Sequence, residues 1–124
     1  MKVLIIEDEE ALRKVLEEKM EHAGFEVFGA KDGVEGSDMA KSKNPDIVLL
    51  DLILPKRSGF DVLGMLKGDP ELKDIPVIVL SNLAEDENLK KALQMGAEDY
   101  FVKSQHPINE VVEKVKNRLL EKSR

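Results

Sequence analysis

The 124 residues amount to 13.9 kDa, enough for one domain that buries a core without disulfide or metal staples. With 42% hydrophobic and 35% charged residues the composition is that of a folded domain, and 25 acidic against 19 basic side chains, a net charge of −6, exclude one that grips a phosphate backbone by charge. The absence of cysteine excludes disulfides, thiol catalysis and cysteine-held metal, and no apolar run is long enough to span a bilayer, so a single cytosolic domain is expected.

The chain begins with an unbroken apolar run, Val3-Leu4-Ile5-Ile6, and similar runs recur at Ile47-Val48-Leu49-Leu50 and Val77-Ile78-Val79-Leu80. Runs without polar alternation predict strands covered on both faces, as in a parallel sheet. Phe25–Phe28 and Tyr100–Val102 are shorter and weaker, as edge strands tend to be. Between them, apolar residues recur at helical spacing: Leu12, Val15, Leu16, Met20 and Ala23; then Leu89, Ala92, Leu93 and Gly96; then Ile108, Val111, Val112, Val115 and Leu119. Gly24 and Gly96 stand where helices should stop, and Pro107 at the first position of the last one. The spacing predicts helices over 9–23, 33–42, 59–67, 84–95 and 107–121, five βα units in all. Strands alternating with helices give an α/β fold with a doubly wound parallel sheet. Residues 122–124 are expected to be a fraying tail.

In such a sheet chemistry collects at the carboxyl ends of the strands. Glu7, Asp8, Glu9 and Glu10 follow the first strand, Asp51 the third, Ser81 and Asn82 the fourth, and Lys103 the fifth. Each has an ordinary reading alone: an acid before a helix caps it, Ser81 caps the next helix, and Lys103 is a solvated charge. Together, crowded carboxylates repel one another by about 1 kcal/mol or more per close pair, which calls for a cation. All-oxygen ligands without His or Cys suit a hard ion, and Mg²⁺ is the natural choice.

These residues carry a resemblance. The chain resembles the receiver domains of the two-component response-regulator family, the single-domain chemotaxis regulators included. The resemblance spans Val3 to the last helix and rests on Glu7-Asp8, on Asp51 with Pro55 and Gly59, on Ser81, and on Gly96-Ala-Glu-Asp-Tyr-Phe-Val-Lys103. It implies a flavodoxin-like sheet of strand order 2-1-3-4-5. It further implies that Asp51 is the phosphoacceptor, that Asp8, Asp51 and the backbone carbonyl of Ile53 bind Mg²⁺, and that Glu7 acts through water. Lys103 would pair with the incoming phosphoryl group, Ser81 would hydrogen-bond it, and Tyr100 would be the switch aromatic that turns inward. A sensor histidine kinase or histidine phosphotransfer protein would be the donor. Output would pass through the fourth helix, fifth strand and fifth helix to a protein target or an attached effector domain, with neither nucleic acid nor membrane bound by the domain itself.

Some positions depart from the family pattern. Glu7 is one methylene longer than the usual aspartate, Ser104 replaces a proline and predicts a trans bond or local strain, and Gln105 stands where an aromatic is common. Asn82 replaces a small residue and is expected to crowd the approach to Asp51, while Ile53, near the same opening, offers no hydrogen bond to orient an attacking water. His22 and His106 read as helix-terminus or surface residues, and Lys114, Lys116, Arg118 and Lys122 as a solvated face.

Other classes fit less well. A haloacid-dehalogenase-type phosphohydrolase needs a second acid two residues after its nucleophile, where this chain has Ile53. A scaffold independent of phosphorylation would be marked by loss of an acid or of the lysine, and neither is lost. No glycine-rich phosphate loop follows any strand. The expected role is a signalling phosphoacceptor that assists its own phosphorylation, not an enzyme with a separate substrate.

Overall fold

In the computed structural model, which describes residues 1–122, five strands alternate with five helices. They are β1 (Lys2–Ile6), α1 (Glu10–His22), β2 (Glu26–Ala30), α2 (Gly33–Lys43), β3 (Ile47–Leu50), α3 (Gly59–Gly68), β4 (Val77–Ser81), α4 (Asp86–Gln94), β5 (Asp99–Val102) and α5 (Ile108–Lys122). All strand pairs are parallel, in the order β2-β1-β3-β4-β5. The flavodoxin-like order implied by the resemblance is the order observed.

The apolar runs form the three central strands because both of their faces are covered. Leu4, Ile6, Val48, Leu50, Val77 and Val79 face Ala40, Val62, Leu63, Leu66 and Ala92 from α2, α3 and α4. Their neighbours Val3, Ile5, Ile47, Leu49, Ile78 and Leu80 face Leu16 and Met20 of α1 and Val111, Val112, Val115 and Leu119 of α5. One strand residue therefore serves one layer and the next serves the other, the two-residue period of a pleated strand.

Several boundaries differ from expectation. β2 lies at Glu26–Ala30, two residues further on at its end than Phe28, and only Ala30 is buried in it. An edge strand containing Gly29 has weak β propensity, so the sequence pattern places it poorly. α4 is shorter than expected, beginning at Asp86 rather than 84. Pro107 precedes α5, and its carbonyl accepts from Glu110 N–H at 3.0 Å. Val15 and Leu93, expected on buried stripes, are 38% and 42% exposed. The fraying expected at residue 122 is not seen: Lys122 is helical, and its Nζ donates to the Asp46 carbonyl at 3.0 Å. Ser123 and Arg124 lie outside the described residues.

Gly24 and Gly96, with φ of +94° and +110°, end α1 and α4 in the left-handed conformation expected of them. Side chains cap two helices at the functional end of the sheet: Asp32 accepts from Glu35 N–H at 2.7 Å and Ser58 from Asp61 N–H at 3.1 Å. β5 is an edge strand, and its two outward N–H groups are met by side chains. Tyr100 N–H donates to Asp99 Oδ1 at 2.8 Å and Val102 N–H to His106 Nδ1 at 3.1 Å. The basic residues of α5 are paired, Arg118 with Glu98 at 2.7 Å and Lys114 with Asp99 at 3.4 Å, which fits the solvated face read from sequence. Among the described residues no helix is long and apolar enough to cross a membrane.

Candidate functional site

β1 and β3 are neighbours that end at the same level, Ile6 beside Leu50, so the residues that follow them meet at the rim. Glu7 N–H bonds the Ala30 carbonyl at 2.9 Å and Asp51 N–H the Ile6 carbonyl at 3.0 Å, which extends the sheet ladder by one residue on each side. Both acids are thereby held by backbone, at 2% and 5% exposure. Asp8 points to solvent, yet its carboxylate lies with those of Glu7 and Asp51 so that one oxygen of each falls within 4.8 Å of the others.

Lys103 follows β5, its N–H bonded to the Ser81 carbonyl at 2.9 Å, and reaches across the rim. Its Nζ lies 2.7 Å from Glu7 Oε1, 2.9 Å from Asp51 Oδ2 and 3.1 Å from Glu9 Oε1. Burial would lower the Lys103 pKa, but hydrogen bonds to Glu7 and Asp51 and their charges override it, so the ammonium is held charged. Burial, with the Asp51 charge adding, pushes the Glu7 carboxyl up to about 7 against its bond to Lys103. One ammonium facing two buried acids, with the exposed Asp8 and Glu9 beside them, leaves the rim short of positive charge. The donor set is all oxygen and unpartnered on the Asp8 side, which fits a hard divalent cation rather than zinc or copper.

Ile53 is 54% exposed, and its N–H donates to Asp51 Oδ1 at 3.1 Å, so its main chain stands at the acid. A Cβ at Gly59 would collide with the Asp51 carbonyl and Leu52 Cα, which is the physical reason for glycine eight residues after Asp51. Ser81, fully buried, is the last residue of β4 rather than the first beyond it. Its Oγ accepts from Leu83 N–H at 3.3 Å, and the Tyr100 hydroxyl donates to the Leu83 carbonyl at 2.6 Å. Tyr100 is turned inward, 6% exposed, and shares Leu83 with Ser81. Asn82 is exposed and lines a cavity of about 250 Å³ with Glu9, Lys103, Ser104 and His106. Among the described residues no peptide bond is cis, so the Lys103–Ser104 bond is trans, one of the two outcomes expected.

Three contacts were not read from sequence. Glu9 is a third partner of Lys103. Arg13 Nη1 donates to the Glu7 carbonyl at 2.8 Å. His106 is half-buried, caps β5 and meets Phe101 edge-on at 5.1 Å, rather than lying free at the surface. The i, i+4 spacing of Arg13 from Glu9 and Glu17 was the available signal for the second of these.

Residues 3–116 match the family model described as the response regulator receiver domain. Over 101 residues the chain is 37% identical to the polar-differentiation response regulator DivK of Brucella ovis, covering 82% of each chain. It is 37% identical over 102 residues to the DNA-binding dual master transcriptional regulator RpaA of Synechocystis sp., covering 82% of this chain and 42% of that one. The chain thus spans less than half the length of the transcriptional regulators it matches. The solved receiver domain of the Francisella response regulator 1452 superposes with a TM-score of 0.88 at 29% identity, covering 99% of this chain and 98% of that one. The match across nearly the whole domain, together with the sheet order, makes this chain a receiver domain of a two-component response regulator.

Proposed function

We propose that Asp51 accepts a phosphoryl group and that the gain and loss of this group switch the domain between two arrangements. Receiver domains interact with histidine kinases or phosphotransfer proteins and with downstream targets. For this chain the donor would be a phosphohistidine on such a protein, or a small acyl or amido phosphate. An Asp51 carboxylate oxygen attacks phosphorus as the bond from phosphorus to the donor's nitrogen or oxygen breaks, and the leaving group departs with that electron pair. The observation that carries this reading is Asp51 itself: 5% exposed, at a strand end, 2.9 Å from an ammonium and grouped with two further acids.

Glu7, Asp8, Asp51 and the Ile53 carbonyl would hold Mg²⁺, which supplies positive charge to the transferring phosphoryl oxygens. The remaining roles belong to this chain's own groups. Lys103 Nζ, freed from Asp51 Oδ2, neutralises a phosphoryl oxygen, and the backbone hold on Asp51 fixes the direction of attack. The Ser81 hydroxyl turns toward the phosphoryl group and releases Leu83 N–H. Because Tyr100 grips the carbonyl of the same Leu83, that movement reaches Tyr100 and the start of α4, reshaping the α4–β5–α5 flank. Asn82 narrows the approach and Ile53 offers an attacking water no hydrogen bond, so both gain and loss of the group are slow, and Asn82→Ala should speed both in phosphorylation and decay time courses.

Intact-mass measurement after incubation with a small phosphodonor and Mg²⁺ tests the central step. One added phosphoryl is expected on the wild type and none on Asp51→Asn or on the wild type with chelator. Equal labelling of the variant would remove Asp51 from the chemistry.

A further inference from the structure

Asp8 is the exposed member of the acidic group, and its carboxylate takes part in no hydrogen bond or ion pair among the described residues. Its aim is therefore set by the main chain that carries it. That main chain is pinned on the Glu7 side at three places: Glu7 N–H to the Ala30 carbonyl at 2.9 Å, Glu9 N–H to Glu7 Oε2 at 3.0 Å, and the Glu7 carbonyl to Arg13 Nη1 at 2.8 Å. The third is the only one supplied by a side chain from within a helix, and it fixes the carbonyl of the peptide joining Glu7 to Asp8.

Arg13 is itself held. Its Nε lies 3.5 Å from Glu17 Oε1 one turn along α1, and its side chain is 16% exposed. Both side chains lie over Gly29 of β2, where a Cβ would collide with Glu17 Oε1 and approach Arg13 Cδ to 3.3 Å. The missing side chain at Gly29 thus leaves the space in which the pair reaches the rim. A planar fork that serves one carbonyl and one carboxylate at once is a task for arginine that lysine does not reproduce.

We propose that Arg13, seated by Glu17 and Gly29, is a positioning residue for divalent-cation binding: it locks the Glu7–Asp8 peptide so that the Asp8 carboxylate stands beside those of Glu7 and Asp51. The proposal rests on the metal reading given above. Two effects of Arg13 oppose each other. Its charge repels a cation, so removing it should tighten binding. Its clamp presents a ligand, so removing it should loosen binding. Glu17 neutralises the charge locally and solvent screens what is left, whereas loss of an outer partner of a metal ligand typically weakens affinity 10–100-fold. The clamp prevails.

Titration calorimetry of the whole chain with MgCl₂, well below its melting temperature, tests this. Arg13→Gln should raise the Mg²⁺ Kd about tenfold. Arg13→Lys, which keeps the charge and loses the fork, should recover only part of the affinity. Gly29→Ala touches neither the acids nor the ion, yet should raise Kd in the same direction by displacing Glu17. An Arg13→Gln protein that binds Mg²⁺ as tightly as the wild type, or more tightly, overturns the proposal, as does a lowered melting temperature with an unchanged Kd. Should Arg13→Gln not fold, Gly29→Ala and Glu17→Gln decide, and an unchanged Kd in both overturns it. A wild type that binds no Mg²⁺ would instead overturn the metal reading, so the two failures are distinguishable.

Discussion

Leu63, on the buried face of α3, and Glu7, at the carboxyl rim, are both almost lost to solvent, at 0% and 2% exposure, but they contribute to the fold in opposite senses. Leu63 belongs to an apolar cluster with Leu4, Leu50, Val62 and Leu66, and burial of each adds to stability. Around Glu7 the neighbours are Asp8, Asp51 and Glu9, with one ammonium among them. The two regions meet at the last residues of β1 and β3. The core is complete in itself, whereas the rim is held in an unfavourable charge state by the sheet beneath it. Binding at the rim can therefore release free energy without rearranging the core.

The independence of core and rim is tested most severely from the core side. Leu63→Ala should lower unfolding stability by about 3 kcal/mol in urea titrations. It should leave the Mg²⁺ Kd unchanged, and a linked loss of affinity would show that the two regions are not separable.

At the rim, Mg²⁺ at 100 times its Kd should add about 2.7 kcal/mol of stability. Asp51→Asn should raise the metal-free melting temperature and flatten the response to Mg²⁺, which thermal melts with and without chelator would show. Melts indifferent to both changes would mean that the acids do not strain the fold.

A smaller effect concerns pH. The folded Glu7 carboxyl titrates near 7 against 4.5 in the unfolded chain, so between these values the folded state holds a proton the unfolded state has released. Stability contributed by this group is therefore present below 4.5 and lost as pH rises through the folded value. The metal-free wild type should lose stability relative to Glu7→Gln across that window. Affinity for Mg²⁺ should rise over the same range, because the ion competes with that proton. Melting temperatures of both proteins as a function of pH check the sign.

The smallest effect lies in the turn after β3. Lys56 has a φ of +68°, a left-handed conformation that costs an L-residue about 1–2 kcal/mol. Its ion pair with Asp32, at 3.5 Å from a side chain 65% exposed, returns little. Lys56→Gly should raise stability by up to about 1 kcal/mol in urea titrations and leave phosphorylation intact.

The same division explains what the sequence disclosed. β1, β3 and β4 were legible because residues buried on both faces must be apolar throughout, and helix ends were legible at Gly24 and Gly96 because only a left-handed turn fits there. β2 was misplaced because an edge strand with Gly29 writes no such pattern. At the rim, Glu7, Asp8, Asp51 and Lys103 were legible because strand ends in a parallel sheet converge. The third partner of Lys103, Glu9, and the reach of Arg13 to the Glu7 carbonyl were not, since both depend on side-chain conformations across a loop. Val15 and Leu93 show the converse, apolar residues at helical spacing that the neighbouring elements do not cover.

The capped outer edge of β5 has a consequence for association. An outer strand with free N–H groups is a template on which another chain can add a strand, and open-ended growth follows from it. With Asp99 Oδ1 on Tyr100 N–H and His106 Nδ1 on Val102 N–H, this strand offers a newcomer no donor at either position. Partners that approach this flank must recognise side chains rather than extend the sheet, so contact there can be selective and reversible instead of polymerising.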